Sequence, residues 1–317
     1  MERNSNQPLV TVAVVTYNSS PFVLETLDSI KAQSYRNIEL IVSDDCSQDD
    51  TLMVCSGWIE QNKDRFVNAQ LLTVPKNTGT SGNANRALKA SKGEWIKYIA
   101  GDDLLIPSGI EDCVKMTPQG DVFFAEAIHF SGSLSDKKFT YERIDIEGIA
   151  FGEKSTAKSQ FNILKRQYIG SGPGFFAKRS VIEEVGGFDE RFPLMDDYPL
   201  FIKIAKNGHK FRIIPQEILY KRVHSSSVSH QKENDAIISS MVVRCVKEYK
   251  YQYKYENLNW LWRLFLKYSL FINGMIIDMG NNQKKLSCRA ANYIRLTTDP
   301  FLWYSRLLSL RDRKGWY

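Results

Sequence analysis

Polar and acidic side chains stand where four buried strands are predicted to end. They occur in the segments Thr16-Tyr17-Asn18, Ser43-Asp44-Asp45, Lys76-Asn77 and Gly101-Asp102-Asp103. Such groups do not contribute to the packing of an apolar core, whereas carboxylate oxygens bind hard divalent cations and accept hydrogen bonds from a ligand. Because ligands of parallel α/β sheets bind beyond the carboxyl ends of the strands, these segments are the candidates for a binding site.

Four apolar, β-branched runs separated by helical patterns must position these segments. The predicted strands are Leu9–Val15, Ile38–Val42, Val67–Val74 and Trp95–Ile99. The first helix is predicted to start with Ser20 as its N-cap and Pro21 in its first turn. Strands that alternate with helices predict a parallel sheet with right-handed crossovers. Neither a GxGxxG motif nor a P-loop follows the first strand, which argues against a Rossmann dehydrogenase and a P-loop nucleotidase.

Beyond residue 108 the alternation weakens. The predicted elements there are strands at Asp121–Phe130 and Glu217–Val223 and helices at Lys158–Arg166 and Pro199–Asn207. A proline disfavours helical geometry in the residue before it, so the last of these helices is predicted to begin at Pro199. Asp196 and Asp197 are then expected in the loop that precedes it.

Charge divides the chain into an acidic body and a basic, aromatic tail. The 317 residues carry a net charge of +6, but residues 236–317 hold 14 of the 42 Lys and Arg and only five of the 36 Asp and Glu. An apolar fraction of 43% is ordinary for a soluble globular protein and excludes global disorder. The five scattered cysteines contain no CxxC pair, which disfavours a zinc site or a disulfide framework. No secretion signal or membrane-spanning stretch is recognised, so we expect a cytoplasmic protein.

Several motifs resemble those of the family 2 glycosyltransferases, which have the GT-A fold. The resemblance is carried, in order, by Val12–Asn18, Asp44–Thr51, Asn77–Gly93, Gly101-Asp102-Asp103, and Gly186–Phe192 with Asp196-Asp197. It runs from about residue 9 to about residue 230. It implies an α/β fold with a nucleotide-binding parallel or mixed sheet flanked by helices and a helical C-terminal extension. It also implies transfer of a sugar, with inversion, from a nucleotide-sugar donor in the presence of Mg²⁺ or Mn²⁺.

The resemblance implies a donor site in residues 1–108. Asp45 matches the aspartate that accepts a hydrogen bond from uracil N3–H, which favours a UDP-sugar. Arg86 is expected to neutralise the diphosphate. The remaining expected donor-binding residues are Thr16, Tyr17, Asn18, Asn77 and Asp102. The alternatives are that Asp44 and Asp45 only cap a loop and a helix, and that Arg86 is a surface arginine.

The expected metal site departs from the family pattern of Asp-x-Asp, because Ala100 stands where the first carboxylate usually lies. One of Asp102 and Asp103 is expected to bind the metal and the other to face the ribose or the acceptor; the sequence leaves open which. His224 matches a further metal ligand of several family members, and imidazole favours Mn²⁺ over Mg²⁺. The alternatives are a solvated turn and an ordinary strand-end histidine.

The resemblance places acceptor binding in residues 109–235. Asp197 matches the general base that removes the acceptor hydroxyl proton, and Asp196 replaces a more common Glu. The alternative for both is helix capping. The segment from Gly172 to Gly174 is expected to form a rigid acceptor-side loop.

The tail, residues 236–317, is predicted to be mostly helical. Its Trp, Tyr, Lys and Arg content suits the headgroup region at the inner face of a membrane, or a lipid-linked acceptor. Packing on the body or in a homodimer is the alternative, and nucleic-acid binding gains no support from the body.

We expect a glycosyltransferase that acts on a glycan or glycolipid acceptor in surface polysaccharide assembly. The alternatives are a sugar nucleotidyltransferase, or a catalytically weak partner that binds a nucleotide sugar, which the missing carboxylate at Ala100 would suit.

Overall fold

The structure is a computed structural model. It describes residues 7–132, 138–139, 150–165, 172–192, 195–224, 259–280, 286–300 and 303. The chain separates into two compact units, Met1–His230 and Gln231–Tyr317. The predicted boundary at residue 108, with donor binding before it and acceptor binding after it, stays a prediction.

The described part of the first unit forms one nine-stranded mixed sheet. Its strands are β1 (Val10–Thr16), β2 (Ile38–Asp44), β3 (Asn68–Leu72), β4 (Trp95–Ala100), β5 (Leu104–Leu105), β6 (Val122–Ser131), β7 (Lys138–Phe139), β8 (Phe176–Lys178) and β9 (Phe211–Arg222). The order is β3-β2-β1-β4-β8-β6-β9-β5, and β7 pairs with β6. The first four strands are parallel, as predicted, whereas β8 runs antiparallel to β4 and β6.

Helices flank this sheet. They are α1 (Val23–Lys31), α2 (Thr51–Asn62), α3 (Gly79–Ala90), α4 (Gly109–Met116), α5 (Ala157–Leu164), α6 (Arg179–Glu184) and α7 (Asp197–Lys206). Each of α1 to α3 buries one face, and α3 buries Ala84, Ala87 and Leu88. In the second unit the described helices are α8 (Trp260–Gly280) and α9 (Leu286–Thr298). No helix among the described residues is both long and apolar enough to cross a bilayer.

Strand register brings the predicted site segments to one edge. Thr16 at the end of β1 lies beside Asp44 at the end of β2, and Val15 lies beside Ala100 at the end of β4. The strands are buried on both faces, which explains their continuous apolar runs. The polar residues that follow β1, β2 and β4 therefore meet at the carboxyl edge of the sheet.

Two predicted helix starts are wrong. Helix α1 begins at Val23 with Phe22 at its N-cap position, so Ser20 is not the N-cap. The backbone N–H of Ser20 donates to Oδ2 of Asp49 at 3.0 Å. Helix α7 begins at Asp197, two residues before Pro199. A proline in the first helical turn loses no intrahelical hydrogen bond, since the N–H groups of that turn have no partner in the helix.

Candidate active site

The ends of β1 and β2 are tied together by buried side chains. Thr16 Oγ1 donates to Oδ1 of Asp44 at 2.9 Å, and Asn83 Nδ2 of α3 donates to the carbonyl of Thr16 at 3.1 Å. Oδ2 of Asp44 accepts from the backbone N–H of Ser47 at 2.8 Å. Asp44 therefore organises the loop after β2, the capping role considered as its alternative, while Thr16 fixes the base of the predicted donor site.

Tyr17 and Asn18 come directly after Thr16, at the end of β1, and both have solvent-exposed surface. The side chain of Tyr17 is half exposed, which leaves its ring accessible to a ligand. Asn18 has a positive φ of 50°, and its Oδ1 accepts from the backbone N–H of Gln48 at 2.8 Å. Asn18 thus joins the loop after β1 to the loop after β2. Asn77 stands at the start of α3, where its Oδ1 accepts from the N–H of Gly79 at 3.0 Å.

Asp45 is buried and makes hydrogen bonds with both of its carboxylate oxygens. Its Oδ2 accepts from the backbone N–H groups of Thr78 at 2.9 Å and Gly79 at 2.7 Å, at the N-terminus of α3. Its Oδ1 accepts from Thr78 Oγ1 at 2.6 Å. Backbone N–H groups at a helix N-terminus stabilise a carboxylate there. Asp45 therefore anchors α3 to the end of β2, and its recognition of uracil stays a prediction.

Arg86 completes this cluster instead of lying on an open surface. Its Nη2 lies 3.0 Å from Oδ1 of Asp45, and its Nη1 donates to the carbonyl of Asp44 at 3.0 Å and to Oδ1 of Asn83 at 2.9 Å. The guanidinium thus joins α3 to the loop after β2. This places a positive charge at the predicted donor site, and contact with a diphosphate stays a prediction.

Asp102 and His224 meet although they come from different parts of the sequence. Nε2 of His224 lies 2.8 Å from Oδ2 of Asp102, and each side chain is about a quarter exposed. A carboxylate oxygen and an imidazole nitrogen at this separation fit the donor set of a divalent metal such as Mn²⁺, whose remaining ligands a diphosphate and water can supply. Among the described residues no cluster holds three or more His, Cys, Asp or Glu side chains that could bind a metal.

Asp103 points into the protein. Its Oδ1 accepts from the backbone N–H of Arg222 at 2.9 Å, and it is buried. Burial, followed by the negative charge of Asp102, raises the pKa of Asp103 to about 7. The two neighbouring carboxylates thus face different surroundings, although the chain makes a turn here, closed by a hydrogen bond of 3.2 Å from the N–H of Asp103 to the carbonyl of Ala100. Asp103 as a metal ligand or a ribose contact stays a prediction.

Arg222 supports this turn and was not among the predicted site residues. Its Nε donates to the carbonyl of Asp102 at 2.9 Å, and its Nη2 lies 2.6 Å from Oε2 of Glu25 on α1. The rings of Phe22 and Phe130 lie 4.8 and 4.6 Å from its guanidinium carbon. The only sequence signal for it is an arginine at the end of a buried strand, two residues before the candidate ligand His224.

Asp197 is the first residue of α7 and lies against the loop predicted for the acceptor. A Cβ at position 172 would come within 2.5 Å of Oδ2 of Asp197, so only glycine allows this approach. The carbonyl of Gly174 accepts from the N–H of Ala125 at 3.0 Å, which fixes the loop to β6. The structure therefore brings the predicted acceptor-side residues Gly172 and Asp197 together.

Asp196 lies at the N-cap position of α7. Burial, and then the negative charge of Asp197, raise the pKa of Asp196 to about 7. Burial, followed by the negative charges of Asp196 and Glu183, raises the pKa of Tyr98, a buried residue of β4. Asp196 therefore lies near β4 and holds its proton more strongly than an exposed aspartate does.

The segment Gly186–Phe192 packs on α3 through Asn85, which was not predicted. Nδ2 of Asn85 donates to the carbonyl of Phe188 at 3.0 Å, and its Oδ1 accepts from the N–H of Phe188 at 2.8 Å. Gly187 has a φ of +68° and lies so close that a Cβ would come within 2.5 Å of Oδ1 of Asn85. This pairing links the helix of the predicted donor site to the chain that leads into α7.

Comparisons with known proteins agree with this geometry. The sequence profile of the family described as Glycosyl transferase family 2 matches residues 11–186. The chain is 27% identical over 242 residues to an Escherichia coli protein named UDP-Glc:alpha-D-GlcNAc-diphosphoundecaprenol beta-1,3-glucosyltransferase WfaP, covering 75% of this chain and 86% of that protein. It is 28% identical over 263 residues to a chondroitin synthase of Escherichia coli, covering 80% of this chain and 35% of that protein.

Solved structures with the same fold are more distant in sequence. The structure of S. aureus TarS 1-349 in complex with UDP-GlcNAc matches with a TM-score of 0.56 and 20% identity, covering 76% of this chain and 66% of that one. The mannosyltransferase PcManGT of Pyrobaculum calidifontis, in complex with GDP-Man and Mn²⁺, matches with a TM-score of 0.53 and 18% identity, covering 99% and 77%. The chain thus spans just under two thirds of TarS 1-349 in its complex. These matches confirm the predicted fold class, a mixed sheet flanked by helices.

Proposed function

Because the chain belongs to glycosyl transferase family 2, we propose that it moves a sugar from a UDP-sugar to a hydroxyl group of a glycan or lipid-linked acceptor, with inversion at the anomeric carbon. The observation that carries this proposal is the pairing of Asp102 with His224 at 2.8 Å. It stands at the sheet edge where the ends of β1, β2 and β4 meet.

The donor is assigned to the cluster at the ends of β1 and β2. Arg86 places a guanidinium at this cluster, which can contact a diphosphate. The N–H groups of Thr78 and Gly79 at the N-terminus of α3 bind Asp45 and are not assigned to the donor. Tyr17 offers an exposed ring on which a base can stack. WfaP is named for a UDP-Glc donor and TarS is seen with UDP-GlcNAc, which supports UDP as the nucleotide, whereas PcManGT is seen with GDP-Man.

Asp102 and His224 are the residues proposed to hold a divalent metal, with Mn²⁺ preferred. A bound metal supplies Lewis-acid stabilisation of the departing diphosphate. Arg222 holds the turn that carries Asp102 through the main-chain carbonyl of that residue. The Mn²⁺ in PcManGT supports the choice of metal.

Asp197 is proposed as the general base. Its carboxylate takes the proton of the acceptor hydroxyl, and the oxygen of that hydroxyl forms a bond to the anomeric carbon. The bond between that carbon and the diphosphate oxygen breaks, and UDP leaves with the bonding electron pair. General-base assistance of this kind is worth about 10²–10⁴ in rate.

The acceptor is proposed to be attached to a membrane lipid. WfaP is named for an acceptor on diphosphoundecaprenol. In the second unit, α8 exposes Trp260, Leu264 and Phe271, with exposed fractions of 77%, 54% and 64%. These residues share one helix face with Lys267, and aromatic residues beside a basic one suit the headgroup region of an anionic bilayer. We therefore propose peripheral contact with the cytoplasmic face of the membrane; the alternative use of this face is a homodimer.

A panel of nucleotide sugars tests the proposal. Melting temperatures are measured with UDP-, GDP- and ADP-sugars, each with and without Mn²⁺. We expect the largest increase with a UDP-sugar and Mn²⁺ together. An equal increase in melting temperature with all bases would contradict the donor assignment. An increase of the same size with and without Mn²⁺ would contradict the metal assignment. Turnover of the same UDP-sugar would exclude a partner protein that only binds the nucleotide sugar.

A further inference from the structure

Lys97 is a lysine in the middle of the central strand β4, and its side chain has no exposed surface. Its ammonium group donates to the main-chain carbonyl of Tyr98 at 2.7 Å and to the main-chain carbonyl of Pro173. No carboxylate among the described residues lies within ion-pair distance of it. A buried charge without an ionic partner costs stability, so an apolar residue would serve the core better.

The position of Lys97 explains what its ammonium group does. The antiparallel register between β4 and β8 ends at the pair Lys97–Phe176. Before Phe176 the chain makes a tight turn, closed by a hydrogen bond of 3.1 Å from the N–H of Phe175 to the carbonyl of Gly172. Where the strand ladder ends, the lysine side chain takes the place of a backbone donor and ties this turn to β4.

The same turn touches the proposed general base. Gly172 approaches Oδ2 of Asp197 so closely that no side chain fits between them, while the next residue, Pro173, accepts the hydrogen bond from Lys97. A movement of the turn by a few tenths of an ångström therefore changes the space open to the Asp197 carboxylate.

We propose that Lys97 is a positioning residue for the transfer reaction: its ammonium group fixes the Gly172–Gly174 turn, and the turn fixes Asp197. The proposal rests on the proposed role of Asp197 as general base. Burial lowers the pKa of Lys97 to about 8, so the group is still mainly charged at neutral pH.

The test is a double-mutant cycle between Lys97→Met and Asp197→Asn, with Lys178→Met as the matched control. Lys178 lies on the neighbouring strand β8 and is partly exposed beside Glu94 and Asp121. We expect Lys97→Met to lower kcat by about tenfold or more, since small misplacements of catalytic groups have effects of this size. UDP affinity should change by less than about twofold. Lys178→Met should leave kcat and UDP affinity unchanged.

In the Asp197→Asn background, Lys97→Met should lower the residual rate by less than about threefold, because residues that act as one unit are not additive. An equal loss in both backgrounds, or a parallel loss of UDP affinity, would overturn the proposal. Lys97→Gln keeps an N–H donor and should retain more activity than Lys97→Met; it also carries the test if the methionine variant does not fold. Normal activity of Asp197→Asn alone would instead refute the role of Asp197 as general base. The failure of that role can therefore be distinguished from a failure of the positioning role of Lys97.

Discussion

Nε2 of His224 lies 2.8 Å from Oδ2 of Asp102, although 122 positions separate the two residues in the chain. The pairing of Leu104 with Tyr220 between β5 and β9 produces this contact, because it lays the chain after β4 beside the end of β9. The backbone N–H of Arg222 then binds the carboxylate of Asp103. Two segments that are far apart in the sequence thus form the proposed metal site.

Replacing His224 should weaken metal binding specifically. We expect His224→Gln to raise the Mn²⁺ concentration needed for half-maximal activity by about tenfold or more, since loss of one ligand or of its orienting partner has effects of this order. UDP affinity measured without metal should stay the same. His209→Gln is the matched control, because His209 pairs with Glu184 at 3.0 Å away from the sheet edge. An unchanged Mn²⁺ requirement in His224→Gln would remove His224 from the site.

Replacing Asp45 should reduce the preference for uridine nucleotides. An aspartate accepts from uracil N3–H, whereas adenine offers no such donor, and a charge-assisted bond of about 1.5–3 kcal/mol corresponds to tenfold discrimination or better. We expect Asp45→Asn to bind UDP about tenfold more weakly while ADP binding changes little. The variant should also melt at a lower temperature, because Asp45 binds Arg86 and the N-terminus of α3. Equal weakening of both nucleotides would favour a purely structural role.

Asp197→Asn should abolish most of the catalytic rate while the donor still binds. General-base help is worth about 10²–10⁴ in rate, so kcat should fall within that range. Isothermal titration with UDP supplies the binding control. A loss in kcat smaller than about tenfold would contradict the role of Asp197 as base.

The exposed face of α8 should bind anionic membranes. In a flotation assay the protein should rise with vesicles of phosphatidylglycerol but not with neutral vesicles, and high salt should weaken the binding. Trp260→Ala with Phe271→Ala should abolish flotation. Met53→Ala is the control, because Met53 of α2 is 68% exposed in the first unit. The alternative use of this face is a dimer interface. It would be favoured if the wild-type protein bound neither kind of vesicle and formed a dimer that the double variant did not form.

The sequence predicts β1, β2 and β4 well because nearly all of their residues are buried and they therefore form apolar runs. β3 is only partly buried, and it is shorter in the structure, Asn68–Leu72, than the predicted Val67–Val74. The strands β5, β7 and β8 have only two or three residues, too few for a pattern, and they exist through pairing with distant partners. In β9, Pro215 interrupts the run at the place where the register with β6 shifts, so only its second half was predicted.

The meeting of polar residues at the ends of β1, β2 and β4 was predictable, because the carboxyl ends of parallel strands share one edge of a sheet. Their roles as site residues stay predictions. The supporting residues were not predictable, because their partners lie far away in the sequence. Asn85 binds the backbone of a residue 103 positions away. Lys97 reaches a carbonyl 76 positions away. The one signal in the sequence for a supporting role was a lysine inside the apolar strand Trp95–Ala100, because a solvent-exposed lysine is not expected inside such a strand.

The pH dependence of kcat should report the carboxylate pair at the start of α7. Burial and the charge of Asp197 raise the pKa of Asp196 to about 7, so the pair keeps a proton below that pH. Because that proton is held by Asp196, Asp197 stays ionised and can act as the base on both sides of pH 7. Ionisation of Asp196 adds a negative charge beside Asp197 and makes it a stronger base, so kcat should rise by a limited step around pH 7. Asp196→Asn removes this ionisation, and the step should disappear. A step that remains in the variant would contradict the coupling of the two carboxylates.

The same variant should change the pH dependence of stability. Between the ordinary pKa of 3.8 and the folded value of about 7, the folded state retains a proton that the unfolded state has lost. The contribution of Asp196 to the free energy of unfolding therefore decreases as pH rises through this window and is constant above it. Urea denaturation at several pH values should show a smaller decrease for Asp196→Asn than for the wild type. Parallel curves for the two proteins would mean that Asp196 is ionised throughout.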